Sequence, residues 1–487
     1  MMEDRLLTVI VPVYNKEKLL GQCLDSFAVK DFIRRLEVLV IDDGSTDTSA
    51  LIAEEYERKY PEIYRVIKKE NGGVGSVLNL GLQYARGKYI KEVDADDYID
   101  INALKKLLDC LVKCDSDIVL TPYYMIDEEG ELLEIHYMGG LEYGREYQAE
   151  KLLGRVGINI QSLTVKRQLL LEHNIVLEET RFYVDMQLIG ESIYYAETYT
   201  VLSCILYYYR CNQAEQSVSL DSYVRNSDDF RRQTELSLER FSRSWREEIS
   251  QAKRKIMKDG ACGYSTLLQI IYLMDKADRN GGKCKAFDKM LGEKYPVIYG
   301  EIGLQPLIRK LRNKEFGNVV DCKEKVEIAV REIQELKRGG ISLGEVCSLV
   351  TGEDGNIEKY RLQKQSDKFQ RQFQLLNCWL MNYQKGIRAG QYLRDRGVHR
   401  IAIYGFGALG ERLYQELSDS QVQVVYGIDQ RVVSKGNSFQ IYKFPDTSKE
   451  IDAIVVTVIM DFIKIAADLK KIVECSVISL EDVIYRS

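Results

Sequence analysis

The chain has 487 residues, room for about three domains at roughly 150 residues each. With 45% hydrophobic and 29% charged residues it has the composition of a soluble globular protein, and a formal net charge of −6 excludes a basic field that would draw it to nucleic acid. No run of roughly 18 apolar residues is present, and strand signal begins almost at Met1, so neither a membrane span nor a signal peptide is expected.

From residue 7 to about 120, strand and helix signals alternate. LTVIVPVY and EVLVIDD are apolar, β-branched runs, and KYIKEVDADD is a third, more alternating one. Helical patterns lie between them: LLGQCLDSF, SALIAEEYERKY and VGSVLNLGLQYA. This order predicts a mostly parallel α/β sheet with ligands at the carboxyl ends of its strands. From about 225 to 395 the pattern turns helical, with SDDFRRQTELSLERFSRSWREEISQAKRK reading as one long segment and STLLQIIYLMDKA as another. Phe369, Phe373, Leu376, Leu380, Tyr383 and Ile387 follow a 4-3 spacing, an apolar seam for intrachain packing that also allows a homodimer. From 398 a second α/β pattern begins with VHRIAIYGFGALGERLYQELSDS. The 11 cysteines lack zinc-site spacing and read as thiols of a reducing compartment, and His136, His173 and His399 read as structural.

Polar residues at the predicted strand ends come first as site candidates. KEVDADDYID places Asp94, Asp96, Asp97 and Asp100 together, and such repulsion calls for a cation or strong donors. A hard divalent ion bridging to a diphosphate meets that need, and so does a capping role on the helix INALKKLLDCLVK. VIDDGSTD sets Asp42 and Asp43 at another strand end, where a carboxylate can accept from a nucleobase or ribose. VPVYN ends the first strand on Pro12 and Tyr14, with an aromatic ring able to stack on a base. Gly72 and Gly73 form a loop whose backbone N–H groups could approach phosphate, followed in the next helix by Asn79.

Taken in order, TVIVPVYN, VLVIDDGSTD, NGGVGSVLNLGLQYARGKYI and VDADD resemble the inverting glycosyltransferase family 2, over about ninety residues. The resemblance implies a GT-A fold and a nucleotide-sugar donor, by family precedent a UDP-sugar. Tyr14 and Asp42 would contact the nucleobase, with Asp43 nearby. Asp94, Ala95 and Asp96 would form the Asp-X-Asp motif, Asp96 first and Asp94 second holding Mn²⁺ or Mg²⁺ on the diphosphate. Leu78 stands where many members carry an arginine before the asparagine. In LEETRFYVDMQLIGESIYYA, Asp185 takes the place of the catalytic base, although Val184 replaces a common glutamate. An N-cap role for Asp185 on the helix MQLIGESIYYA is also physically sound and does not exclude the base, and Glu178 and Glu179 are weaker alternatives as base. LYYYRCNQAEQSVS resembles the family's Tyr-X-Tyr-Arg strand, so Arg210 could reach the diphosphate or serve a surface ion pair, with Ser217 and Ser219 on a lid.

In the C-terminal segment, Gly405, Gly407 and Gly410 fit the dinucleotide fingerprint and Asp429 follows about 20 residues on, where it would bind ribose. Structural, NAD-binding or nucleotide-sugar-binding roles, and independent catalysis, all stay open there. The expected division is therefore 1–225, a GT-A catalytic domain; 226–395, a helical region; and 396–487, a small Rossmann-like α/β domain. The expected activity is transfer of a sugar to a hydroxyl of a bacterial polysaccharide, teichoic-acid-like or lipid-linked acceptor by a cytoplasmic enzyme. SQAKRKIMK and PLIRKLRNK are basic enough for peripheral contact with an anionic membrane face or simply form solvated helix faces. A bifunctional redox or epimerase enzyme and a non-catalytic assembly scaffold are the competing readings.

Overall fold

The computed structural model describes residues 5–128, 132–136, 141–211, 219–313, 319–336, 372–373, 375–429, 439–459 and 462–485, with 130, 138, 346–347 and 350. The chain divides into two compact units, Met1–Arg361 and Leu362–Ser487.

The larger unit is built on β1 (Leu7–Val13), α1 (Leu20–Asp25), β2 (Leu36–Asp42), α2 (Ser49–Lys59), β3 (Tyr64–Lys68), α3 (Gly73–Tyr84) and β4 (Tyr89–Glu92). There follow β5 (Tyr98–Ile99), α4 (Ile101–Lys113), β6 (Ile118–Leu120), β7 (Tyr123–Ile126), β8 (Leu132–His136), β9 (Glu146–Gln148) and α5 (Ala149–Leu152). Next come β10 (Leu163–Lys166), α6 (Arg167–Glu172), α7 (Val184–Tyr195), β11 (Thr198–Val201), β12 (Tyr207–Arg210), α8 (Leu220–Arg225), α9 (Ser227–Ser244) and α10 (Gln251–Met274). The main sheet runs β3-β2-β1-β4-β10-β6-β11-β9, parallel across its first four strands and mixed beyond them. A second sheet, β5-β12-β7-β8, stands beside it.

Both faces of β1 are buried, Leu7, Val9, Val11 and Val13 toward one core and Ile10 toward the other. A strand covered on both sides can be apolar at nearly every position, which is why LTVIVPV does not alternate. β3 goes beyond the sequence expectation: YRVIK mixes cationic and apolar residues, and only its pairing with β2 makes it a strand. The β1–β4 pairing stops at Ile10–Glu92, so Pro12 lies where only β2 flanks the strand and its missing N–H costs the ladder little. The two strands part there, at the point where the strand order reverses, and this opens the crevice.

The expected single long helix from 227 is two, α9 and α10, with Ser250 capping the second through its hydroxyl. Residues of α9, α10 and later helices share one apolar core with the main sheet. The basic stretches are partly structural: buried Lys253 pairs with Glu197, and Arg312 pairs with buried Asp288 at 2.7 Å.

In the smaller unit β13 (Arg400–Tyr404), β14 (Gln423–Ile428), β15 (Ile441–Tyr442), β16 (Ala453–Val456) and β17 (Ser476–Ser479) form a parallel sheet. Its order is β15-β14-β13-β16-β17, so this order also reverses beside the first strand. The 4-3 seam does not supply its packing: Phe373, Leu380, Tyr383 and Ile387 are exposed, while Leu375 and Trp379 are buried. Phe369 lies outside the described residues.

The loop before α7 is sewn to α3. Asn79 donates to the Leu177 carbonyl and accepts from Leu177 N–H, each at 2.8 Å. Asn79→Ala should leave both backbone groups unpaired and cost about 1–3 kcal/mol, read from urea unfolding against wild type.

Candidate active site

The site is assembled from the carboxyl ends of β1, β2 and β4 and the first turn of α7. Tyr14 follows β1 with its ring 48% exposed, so it is open to a stacking partner. Asp42 ends β2, Asp43 follows it, and both are buried. Asp42 accepts from Ser45 N–H at 3.3 Å. Asp43 accepts from the Gly72 and Gly73 amides at 2.9 and 2.8 Å and from Lys69 Nζ at 2.6 Å.

These contacts change the reading of the glycine loop. The two amides expected to approach phosphate are committed to Asp43. Gly73 has φ +82°, and a Cβ there would lie 2.8 Å from the Thr180 carbonyl; at Gly75 one would lie 1.9 Å from the Glu178 carbonyl. The glycines thus admit the backbone of residues 178–181 against α3. Asn79, expected near the donor, is likewise occupied by Leu177.

At the end of β4 the carboxylates divide their roles. Asp100 caps α4, accepting from Ala103 N–H at 2.8 Å. Asp97 is buried and accepts from Tyr207 Oη and Arg210 N–H, both at 2.7 Å. Asp94 N–H donates to Tyr207 Oη at 3.1 Å. Asp96 is left facing the crevice, with Lys16 Nζ 2.6 Å from its Oδ2. Arg210 does not point outward as expected: its guanidinium donates to the Asp96 carbonyl at 2.6 Å and to Gln22 Oε1 at 2.5 Å, bracing the loop from beneath.

Burial pushes the Asp94 carboxyl up to about 7, with the Asp96 and Asp185 charges adding to the shift. Burial also raises Asp97, again reinforced by Asp94 and Asp96. Asp185 is raised by burial, partly offset by its own and the Met186 backbone N–H groups at the start of α7. Burial alone would lower Lys16, but the Asp96 charge and hydrogen bond more than reverse this and raise it.

Sequence reasoning passed over several participants. Tyr207 links Asp94 and Asp97 from another sheet. Lys91 is buried, donates to the Gln161 and Leu163 carbonyls at 2.8 and 3.1 Å, and is pushed down to about 7 by burial. Glu92 lines a small apolar pocket with Ile10, Leu78 and Leu188, and its Oε2 has no hydrogen-bond partner among the described residues. Burial raises the Glu92 carboxyl well above its usual range, with Asp94 and Asp185 adding to it. The visible signal was the KE dipeptide inside an otherwise apolar strand.

Asp185 is held by the helical region as well as by α3. Asp229 of α9 accepts from the Arg181 and Phe182 amides at 3.1 and 3.2 Å, and Glu178 pairs with Arg232 at 2.9 Å. Glu191 of α7 pairs with Arg240 and Arg243 at 3.0 and 2.6 Å. Glu178 is therefore already engaged. Ser219 caps α8 through its hydroxyl, and Ser217 lies outside the described residues.

Among the described residues no three His, Cys, Asp or Glu side chains form a ready metal cage. The donor set nevertheless suits an ion bound by one or two carboxylates whose remaining positions go to phosphate and water. An ammonium already sits on Asp96 as a stand-in cation. No helix among the described residues is long and apolar enough to cross a membrane.

In the smaller unit Gly405 follows β13 with φ +88°, and a Cβ at Gly410 would lie 2.5 Å from the Gly405 carbonyl. A Cβ at Gly407 would meet nothing within 4 Å. Asp429 follows β14 and donates its N–H to the Tyr442 carbonyl at 2.9 Å.

The parallel part of the main sheet, with its order reversing beside the Asp94–Asp96 loop, has the open α/β architecture in which ligands bind at the carboxyl ends of strands. Residues 8–173 match the family model described as glycosyl transferase family 2, and this segment is a domain of that family. The chain is 36% identical over 148 residues to glycosyltransferase GlyA of Streptococcus pneumoniae serotype 4, covering 30% of this chain and 21% of that protein. It is 36% identical over 126 residues to GlyG of the same strain, covering 26% and 41%. It therefore matches well under half the length of these relatives. It is 29% identical over 226 residues to Staphylococcus aureus TarS, named as a poly(ribitol-phosphate) beta-N-acetylglucosaminyltransferase, covering 45% and 38%. The crystal structure of S. aureus TarS 1–349 covers 68% of this chain and 92% of its own, with 21% identity and a TM-score of 0.49.

Glu92 gives a test of the electrostatics. A carboxyl with a raised folded pKa contributes stability below its unfolded pKa and loses it as pH rises through the folded value. The melting temperature of Glu92→Gln minus that of wild type should increase from about pH 5 to about pH 8, followed by circular dichroism.

Proposed function

We propose that this chain is an inverting glycosyltransferase that moves a sugar from a UDP-sugar to a hydroxyl of a cell-surface polymer or lipid-linked glycan, using a divalent cation. The observation that carries this is that Asp94 and Asp96, in the loop after β4 of the family 2 segment, lie close enough to Asp185 in the first turn of α7 that burial and the Asp96 and Asp185 charges together raise the Asp94 carboxyl. The polymer class is supported by TarS and by the Bacillus subtilis minor teichoic acid biosynthesis protein GgaB, 28% identical over 253 residues.

In this reading Tyr14 stacks on the base and Asp42 accepts from the nucleoside. Asp96, with Asp94 beside it, holds Mn²⁺ or Mg²⁺. The ion supplies charge stabilisation to the departing diphosphate. Asp185 takes the proton of the acceptor hydroxyl as that oxygen attacks the anomeric carbon in line. Its raised carboxyl brings it nearer the operating pH, where a base is most effective.

UDP should bind with Mn²⁺ and lose that binding in Asp96→Ala, measured by calorimetry. Asp185→Asn should retain donor binding and lose about 10²–10⁴-fold in transfer rate. For wild type, kcat/KM should rise with pH through an inflection above the ordinary carboxylate range, because the base works ionised. UDP binding indifferent to metal and to Asp96 would refute the assignment.

A second reading concerns the smaller unit. Its switch point at Gly405 and the open approach at Gly407 support binding of a nucleotide there, with Asp429 on the ribose. NADH fluorescence titration of the whole chain should then saturate at one site and weaken in Gly407→Val. A flat titration leaves the unit a structural role.

A further inference from the structure

The Lys16–Asp96 ion pair spans the crevice between residues 80 positions apart, and the chain is bent to make it. Asn15 holds φ +52°, its side chain accepts from Thr46 N–H at 2.8 Å, and its own N–H donates to Ser45 Oγ at 3.1 Å. Lys16 N–H then donates to Ser49 Oγ at 2.8 Å. The backbone is thereby anchored to the segment after β2, while the side chain is free to reach across. Its side chain is 34% exposed against 16% for that of Asp96, so the pair is reachable from solvent. Arg210 is different, because its guanidinium donates to the Asp96 backbone carbonyl and to Gln22 beneath the loop.

Asp96 Oδ2 cannot keep an ammonium at 2.6 Å and also ligate a divalent ion, whose bonds to oxygen are about 2.0–2.2 Å, without forcing two positive centres together. A divalent ion bound through Oδ2 therefore displaces Lys16 Nζ. The displaced ammonium lies on a flexible four-carbon stem, and a diphosphate held by the same ion would offer it a new anion.

We propose that Lys16 is an exchangeable counter-ion: it neutralises Asp96 in the donor-free protein and moves to the diphosphate when metal and nucleotide arrive. This rests on the transferase reading above. Two consequences follow from the exchange. Metal alone binds weakly, because it must evict Lys16 with no anion to receive it. Metal and nucleotide diphosphate bind cooperatively, because the second ligand takes up the charge released by the first.

The test is a titration of the full chain with Mn²⁺ alone, followed by the paramagnetic resonance of free Mn²⁺, and a UDP titration at saturating Mn²⁺ by calorimetry. Lys16→Met should bind Mn²⁺ alone about 5- to 150-fold more tightly than wild type and bind UDP correspondingly more weakly. Lys16→Gln, shorter and also neutral, should behave the same way, and Lys16→Arg should retain the weak Mn²⁺ binding of wild type. Melting curves of the three variants confirm folding. Unchanged Mn²⁺ affinity, or unchanged UDP affinity, in the folded neutral variants overturns the exchange. Wild type that fails to bind UDP at any Mn²⁺ concentration overturns the transferase reading instead, so the two failures are distinct.

Discussion

A concentration of negative charge, gathered where β1 and β4 separate, sets the terms for the structure around it. Glu92, Asp94, Asp96, Asp97 and Asp185 reach one region from β4, its following loop and α7; Glu92 and Asp97 are buried and the other three half-buried. Like charges in a low-dielectric setting are tolerated only if they are protonated, hydrogen-bonded or paired. All three solutions appear. Glu92 is pushed toward its neutral form, Asp97 receives hydrogen bonds from Tyr207 and the Arg210 backbone, and Asp96 receives Lys16. The Lys16–Asp96 pair is partly open to solvent, its two side chains 34% and 16% exposed. In the proposed reading a cation and a diphosphate replace Lys16 there and satisfy the charge.

The second requirement is that Asp185 be held at a fixed place relative to this cluster. Its helix begins after a residue in the left-handed region, Tyr183 at φ +64°, whose ring stacks on Tyr223 with centroids 5.2 Å apart. From one side α3 grips the preceding loop through Asn79 and the close approach at Gly73 and Gly75. From the other, α9 grips it through Asp229 and Arg232. Asp43 ties the same α3 terminus to β2. The donor half of the crevice and the helix bearing the proposed base are thus parts of one hydrogen-bonded block. Helix α9 serves in holding that block.

Much of this was legible in sequence. Buried apolar strands and amphipathic helices gave the first α/β pattern, and the glycine-rich turn gave the second. The clustered aspartates pointed to the crevice because repulsion among them needs an explanation. Local reasoning failed where a residue's partner lies far along the chain. Gly72, Gly73 and Asn79 suggested a phosphate loop, but their amides and side chain meet Asp43 and Leu177. Arg210 suggested an outward cation, but Gln22 and the Asp96 carbonyl hold it inward. β3 was hidden because its charged residues mask a strand that only β2 makes visible. Lys91 and Glu92 went unread because a dipeptide inside an apolar strand does not reveal that both faces are buried.

The central claim is that Asp96 holds a divalent ion which also touches the nucleotide diphosphate. Its most direct measurement is anomalous X-ray scattering from crystals of the protein grown with Mn²⁺ and UDP. The account predicts a manganese peak on the Asp96 carboxylate, shared with the diphosphate, and Lys16 no longer paired with Asp96. Bound UDP with no manganese peak there, and with the Lys16–Asp96 pair intact, would contradict it.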